Sequence, residues 1–182
     1  MHAKHLKLLK KAQALDLAGR AQAASSAFEA FLQREPKHAD AWSDLAGQRL
    51  KLGHFDRAQA ACEAALALDA NHPSARINLG IALMRKDQLE EAERQLRSAL
   101  ASDRRRTDAH LFLAECLLNR KDLAGARQVL AAIPPAGLAD STYPLLKSKH
   151  IEPLPCQTKN ESGYNISQSS PKMISQTCKY FL

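Results

Sequence analysis

The stretch Trp42–Asn71, WSDLAGQRLKLGHFDRAQAACEAALALDAN, decides the fold because its pattern returns at a fixed spacing. A shift of 34 residues places large apolar residues on large apolar residues and small residues on small ones. The recurring positions are Leu45, Leu79 and Leu113 in the first half of the unit, and Ala58, Ala92 and Ala126 in the second half. A fixed period of this length predicts one supersecondary unit that buries its apolar face by stacking on copies of itself.

The same stretch resembles the tetratricopeptide repeat, whose pattern is W-x2-L-G-x2-Y followed by A-x3-F, A and P. Trp42, Leu45, Ala58 and Ala65 match this pattern, Ala46 takes its small position, and Cys62 takes its aromatic position. The resemblance covers about residues 5–133. It implies an all-α, right-handed α-solenoid of about four helix-turn-helix repeats. We expect a repeat domain over 1–134, with repeats at about 5–38, 39–72, 73–106 and 107–133.

Local signals predict where individual helices begin and end. In the second repeat they predict helices over 39–52 and 55–68, joined by Gly53 at positive φ. Pro73 predicts a first helical turn, since proline is tolerated there. The sequence Asp87-Gln88-Leu89-Glu90 has capping-box spacing, and Thr107 is the expected N-cap of the fourth repeat.

The composition changes beyond Pro134-Pro135, a pair that cannot continue a helix. Residues 135–182 are predicted to be a low-order tail, because they have no sustained period and little apolar surface to bury. A partial helix over 140–146 is expected to cover the last repeat incompletely, which suggests self-association through that repeat. The contrast with the preceding residues also suggests a truncated or frame-altered end of a longer protein.

Cysteine usage, and the lack of an apolar run long enough for a signal peptide or a membrane span, favour a cytoplasmic protein. Lys and Arg number 26 against 19 Asp and Glu, a net charge of +7, but Arg104–Arg106 lacks neighbouring aromatics for base stacking, so nucleic acid is not the expected partner. No run of apolar residues approaches the length of about 20 that a membrane-spanning helix needs. Cys62 and Cys116 fall at apolar positions of the repeat and are expected to be buried, reduced thiols.

The sequence predicts neither an enzyme nor a cofactor or metal site. It contains no phosphate-binding glycine loop, no nucleophile motif and no His-x-x-x-His pair. His2 and His5 could share a helix face, but no third ligand is near them in the sequence. Neighbouring acids such as Glu90 and Glu91 are expected on a solvated helix face, without the burial that tunes a catalytic pKa.

By resemblance, the first helix of each repeat lines a concave surface on which a protein or peptide partner binds. The candidate partner-binding residues are Asp44, Ile77, Asn78, Ile81, Arg85, Leu111, Phe112 and Glu115. Ile77, Ile81, Leu111 and Phe112 would form an apolar strip. Either this strip binds an apolar peptide or helix, or residues 143–146 or 179–182 of the chain fold back into it. The Asn78 amide is suited to holding a peptide backbone.

Two functions follow from this pattern. The first is a non-catalytic scaffold that displays a rigid concave face to a partner. The alternative is the N-terminal module of a larger glycosyl-, sulfo- or methyltransferase. Relatives that hold the C-terminal carboxylate of chaperones use lysines, asparagines and an arginine at these positions. Only Asn78 agrees with that set, so a co-chaperone of this kind is not expected.

Overall fold

The structure, a computed structural model, describes the backbone of residues 2–133 and the side chains of residues 6–133. These residues form eight helices and no strand. The helices are α1 (His2–Leu17), α2 (Ala21–Leu32), α3 (Ala39–Lys51), α4 (Phe55–Leu68), α5 (Pro73–Arg85), α6 (Leu89–Ser102), α7 (Thr107–Asn119) and α8 (Leu123–Ala131). The predicted all-α solenoid is confirmed. The predictions for residues 135–182, including the tail and the helix over 140–146, lie outside the described residues.

The helices pair into four hairpins that stack along the chain. Each helix packs against the next one, and the first helices of neighbouring hairpins also touch, α3 against α5 and α5 against α7. One apolar cluster runs from Ala12 in α1 to Ala126 in α8. Each hairpin therefore covers the apolar face of its neighbour, as the 34-residue period predicts.

Equivalent residues of the period occupy equivalent buried places. Leu45, Leu79 and Leu113 are all buried. Their small partners in the second helices, Ala58, Ala92 and Ala126, are fully buried. An alanine at this point keeps the two helices of a hairpin close, so the leucines of the first helix fill the space between them.

The turn inside each hairpin has the same left-handed backbone in all four repeats. It falls on Gly19, Gly53, Asp87 and Lys121, with φ of 69°, 75°, 61° and 65°. Gly53 was predicted to have this conformation, whereas Asp87 was assigned to a capping box, and that prediction is wrong. Helix α6 begins at Leu89 after Gln88, which makes no side-chain cap. The reason is that Asp87 occupies the position at which the first two repeats have glycine.

Two histidines cap first helices, which the sequence did not suggest. The Nδ1 atoms of His38 and His72 accept hydrogen bonds from the backbone N–H of Ala41 and Ala75, each at 3.2 Å. Pro73 lies in the first turn of α5 as predicted. Thr107 is not an N-cap, because α7 begins at Thr107 itself.

The position of the single tryptophan is defined by a hydrogen bond as well as by packing. Trp42 Nε1 donates to the carbonyl oxygen of Pro36 at 2.8 Å. One period later, Arg76 Nη2 donates to the carbonyl oxygen of Ala70 at 2.6 Å. Arg76 has no ring, but the bond to the preceding loop is kept, because both side chains are long and carry an N–H group near their end.

A pair of glycine substitutions tests the close packing of α5 on α6. A Cβ at Gly80 would lie 2.7 Å from Cγ of Leu96, which is fully buried and cannot move aside. We expect Gly80→Ala to lower the free energy of unfolding by about 1–3 kcal/mol through overpacking. Gly47→Ala is the control, since its Cβ would meet only Asn78 Nδ2 at 3.8 Å. It should be neutral or stabilising by about 0.5–1 kcal/mol. Urea unfolding measures both, and equal effects would contradict the close contact.

The left-handed turn gives a second test in the last hairpin. Lysine at φ 65° is strained, and glycine is not. Lys121→Gly should therefore raise the free energy of unfolding by about 0.5–1 kcal/mol, after the entropy cost of glycine is subtracted. The reverse change, Gly53→Lys, should lower it by a similar amount. Thermal unfolding of the two variants would refute the assignment if both changed in the same direction.

Candidate partner-binding face

The eight predicted site residues lie on three neighbouring helices. Asp44 is in α3, four residues including Asn78 are in α5, and Leu111, Phe112 and Glu115 are in α7. Because α3 packs on α5 and α5 on α7, the predicted set is brought to adjacent elements. We call the surface formed by α1, α3, α5 and α7 the first-helix face.

The apolar part of this face is narrower than the sequence suggested. Ile77 and Leu111 are 3% and 5% exposed, so they are buried. Ile81 and Phe112 are half-buried and pack against the core. Ile81 and Phe112 are therefore the residues of the strip that a partner can contact, whereas Ile77 and Leu111 are buried.

Asn78 joins two repeats. Its Nδ2 donates to the carbonyl oxygen of Ser43 in α3 at 3.0 Å. This bond uses one of the two amide hydrogens, and Gly47 leaves room for the amide beside α3. Whatever Asn78 does for a ligand, it also holds α5 against α3.

Arg85 and Glu115 form an ion pair across the next junction, with Nη1 3.0 Å from Oε1. Glu115 is 17% exposed and Arg85 is 40% exposed at the side chain. A partly exposed pair of this kind contributes little stability. Its effect is to fix the two side chains, and hence the surface of α5 relative to α7.

An acidic group lies where α1 approaches α3. We call it the Asp44 corner, made of Asp16, Asp40, Asp44 and Gln48. Burial raises the pKa of Asp44, and the carboxylates of Asp16 and Asp40 raise it further, against weaker opposition from His38 and His72. The Asp44 carboxylate therefore lies in surroundings that disfavour its charge.

The other two carboxylates of the Asp44 corner have partners. Asp16 Oδ1 is 2.5 Å from Lys51 Nζ. Burial would raise the pKa of Asp16, but hydrogen bonds from Lys51 and Gln48 outweigh it, so the pKa is lowered. Asp40 Oδ1 lies 3.1 Å from His72 Nε2. Asp44 has no hydrogen bond or ion pair within the described residues.

Gln48 is 2% exposed, and its Oε1 has no hydrogen-bond partner among residues 6–133. The side-chain amide of Gln48 hydrogen-bonds the Asp16 carboxylate. A buried acceptor without a donor costs about 1–3 kcal/mol. Within the Asp44 corner, Gln48 Oε1 is thus the buried acceptor without a donor among the described residues.

Two exposed leucines of α1 belong to the same face, and the sequence reasoning missed them. Leu6 is one period before Asp40, and Leu17 is one period before Lys51. They are 52% and 91% exposed. Carrying the 34-residue period back into the first repeat would have found them.

Neither the described cysteines nor Arg106 offers a free reactive group. Cys62 and Cys116 are free and buried, as predicted. Burial raises the pKa of Cys62 to about 12 and that of Cys116 to about 11, so neither thiol is ionised at neutral pH. Arg106 of the basic triplet is paired with Asp108 at 2.7 Å.

Among the described residues, no group of acidic, histidine or cysteine side chains could hold a metal ion. No described helix combines the length and the apolar character needed to cross a membrane.

A cavity of about 340 Å³ opens at a different place, at the junction of the first two repeats. Its lining residues are Glu29, Leu32, Gln33, Trp42, Leu45 and Arg49. Glu29 and Arg49 pair within it at 3.1 Å. None of the predicted site residues lines this cavity.

Comparison with known proteins gives a consistent result. The family model described as Tetratricopeptide repeat, TPR_16, matches residues 48–96 and 77–140, together just over half of the chain. No curated protein matches the sequence.

Solved structures of repeat proteins match the fold. The thermophilic TPR protein TTC0263 of Thermus thermophilus is 23% identical, with 79% of this chain and 78% of that chain covered and a TM-score of 0.68. The first TPR of Spaghetti (RPAP3), bound to the HSP90 peptide SRMEEVD, is 21% identical, with coverage of 65% and 94% and a TM-score of 0.62. A mutant of the Thermobaculum terrenum O-GlcNAc transferase is 25% identical, with coverage of 70% and 25% and a TM-score of 0.66.

The stacked hairpins, the buried period and the family match agree with one another. The chain belongs to the tetratricopeptide repeat family.

Proposed function

We propose that this interaction module is a non-catalytic scaffold that binds a peptide or partner domain on its first-helix face. The observation that carries the proposal is the pair Ile81 and Phe112. These apolar side chains lie on adjacent helices and remain partly exposed. Burial of their remaining surface by a partner would contribute about 25 cal/mol per Å².

The rigidity of the face supports the proposal. The Asn78–Ser43 hydrogen bond ties α5 to α3, and the Arg85–Glu115 ion pair ties α5 to α7. A partner then meets side chains that are already ordered, and the conformational entropy lost on binding is small. Recognition on a preformed face is therefore better supported than recognition by a segment that folds on binding.

The cysteines also fit a binding role better than a catalytic one. A nucleophilic cysteine needs an accessible thiolate, and both described thiols are buried with raised pKa values. Two free thiols also support our placement of the protein in the cytoplasm, a reducing compartment.

A second candidate is favoured by the match to the O-GlcNAc transferase, of which this chain covers 25%. In this alternative, the repeats are the N-terminal module of a larger transferase. Sequencing the parent gene from the codon of residue 135 onwards, and translating all three frames, would decide between the two functions. A catalytic domain in one of the frames would support the alternative, and a stop codon in every frame would support the scaffold.

Truncation of the apolar contacts tests the binding face. We expect Phe112→Ala and Ile81→Ala to weaken partner binding about tenfold each. The measurement is the dissociation constant for the partner that wild-type chain recovers from the native host. Far-UV circular dichroism should show that the helices are kept.

Leu123→Ala is the matched control. Leu123 is 57% exposed, but it lies at the start of α8, outside the first-helix face. Its truncation should leave binding unchanged. Loss of binding in Leu123→Ala together with retention in Phe112→Ala would move the site off the proposed face.

A further inference from the structure

Helix α1 carries two of the four large apolar side chains that are exposed among the described residues. Leu6 is 52% exposed and Leu17 is 91% exposed, whereas the other two, Leu68 and Leu123, lie singly on α4 and α8. Leu6 and Leu17 are eleven residues apart, which is about three turns of a helix with a rotation of only about 20°. Both leucines therefore lie on one side of α1.

Lysines accompany these two leucines. Lys10 lies between Leu6 and Leu17 on the same side of α1, and Lys7 and Lys11 lie along one edge of that side. All three lysines are exposed. We call this set the α1 surface, which consists of Leu6, Lys7, Lys10, Lys11 and Leu17. It carries three positive charges and no negative one.

The one acid of α1 lies away from the α1 surface. Asp16 is about 100° around the helix from Leu17, and its Oδ1 is 2.5 Å from Lys51 Nζ on α3. The acids near Asp16, which are Asp40 and Asp44, belong to α3. The positive charge of the α1 surface is therefore not cancelled by the helix that carries it.

Packing of the array does not account for the composition of the α1 surface. Lys11 is one period before Leu45, which is buried because α3 packs between α2 and α4. Helix α1 packs against α2, and Lys11 is exposed. A helix face that met only water would be polar throughout. The α1 surface instead combines charge with exposed apolar area.

An anionic lipid bilayer matches both features. Apolar side chains of a helix that lies on a bilayer enter the boundary between headgroups and acyl chains, and its lysines keep their ammonium groups at the headgroups. Each lysine close to an anionic leaflet adds to the attraction. A helix bound in this way needs no run of residues that spans the membrane.

A second copy of the chain and a nucleic acid match the α1 surface less well. In a symmetric dimer the same patch of both copies meets, so the lysines of one copy would repel those of the other. A nucleic acid attracts lysines, but single strands are held by stacking on aromatic side chains. Helix α1 contains no phenylalanine, tyrosine or tryptophan. A bilayer is the partner that uses the leucines and the lysines together.

We propose that the α1 surface lies on an anionic membrane and holds the first hairpin against it. Ile81 and Phe112 lie on other helices, α5 and α7, so they stay available to a protein partner. The inference goes beyond the proposed function and does not depend on it.

Vesicle flotation with the full chain provides the first test. Wild type should float with vesicles of phosphatidylcholine that contain phosphatidylglycerol, and not with vesicles of phosphatidylcholine alone. Added salt should release it, since the attraction to the lipid charge is screened. An absence of flotation with the anionic vesicles at low ionic strength would overturn the proposal.

A triple variant tests where on the chain the charge acts. Combining Lys7→Gln, Lys10→Gln and Lys11→Gln should weaken vesicle binding at least tenfold. The matched control removes three exposed positive charges elsewhere and combines Arg104→Gln, Arg105→Gln and Arg127→Gln. It should bind within about threefold of wild type, because these residues do not lie at the bilayer. Equal losses in the two triple variants would assign binding to the net charge of the chain and overturn the proposal.

The apolar contribution is tested at the most exposed leucine. Leu17→Gln keeps the charge of the chain, and its far-UV circular dichroism should equal that of wild type because Leu17 is 91% exposed. Vesicle binding should weaken about fivefold, since an apolar side chain no longer enters the headgroup region. Leu123→Gln on α8 is the control and should bind as wild type does. Unchanged binding of Leu17→Gln would refute an inserted face.

Acetylation of lysines in the free full chain tests whether the α1 surface is already covered. Without vesicles, Lys7, Lys10 and Lys11 should react as fast as the exposed Lys37, with mass spectrometry as the readout. Anionic vesicles should slow the reaction of the three and not that of Lys37. Slow reaction in the absence of vesicles would show that the chain itself or a second copy covers the surface, and the proposal would fail.

Two further outcomes separate the bilayer from the other partners. Binding of single-stranded DNA that is lost in the triple lysine variant, together with no binding of vesicles, would assign the α1 surface to nucleic acid and overturn the proposal. Phe112→Ala should bind vesicles as wild type does, because Phe112 is on α7. Loss of vesicle binding in Phe112→Ala would place the bilayer on α7 instead of α1.

Discussion

The fold depends on how closely the two helices of each hairpin approach. That approach is set at one small position in the first helix, which is Ala46, Gly80 or Ala114 in successive repeats. At Gly80 even one added carbon would meet the buried Leu96. In the preceding repeat the small position is the larger alanine, and the position of Leu96 is the smaller Cys62. Between these two repeats, the larger residue in the first helix is matched by the smaller one in the second helix.

The first-helix face follows from the same constraint. Once hairpins of equal size stack, their first helices lie side by side, and residues one period apart become neighbours in space. Asn78 then reaches the backbone of α3, and Arg85 reaches Glu115 on α7. These contacts join repeats that are distant in sequence, so the surface is ordered by the stacking as much as by its own side chains.

The sequence was enough to predict the buried period, the positive φ of Gly53 and the two helices of the second repeat. Helix α4 begins and ends where predicted, and α3 ends one residue earlier than predicted. The start of α6 was not predictable, because an aspartate before a helix is normally a cap and here Asp87 takes a turn position instead. The histidine caps were missed because histidine is not among the residues that usually cap helices.

The candidate site could be predicted only in part from the sequence, for a related reason. The period and the family resemblance predicted which helices lie side by side. They did not predict that Ile77 and Leu111 are buried, because this burial arises only when neighbouring repeats pack together. The Asp44 corner brings together α1 and α3, so its charges could not be seen as a group in either helix alone.

Trp42 has a consequence for how the array can be observed. It is the one tryptophan of the chain, and its indole is bonded to the loop just before the second hairpin. Its fluorescence therefore senses that single joint, whereas the far-ultraviolet signal sums over every helix. A gap between the two melting midpoints would measure directly how far the hairpins come apart one by one rather than together.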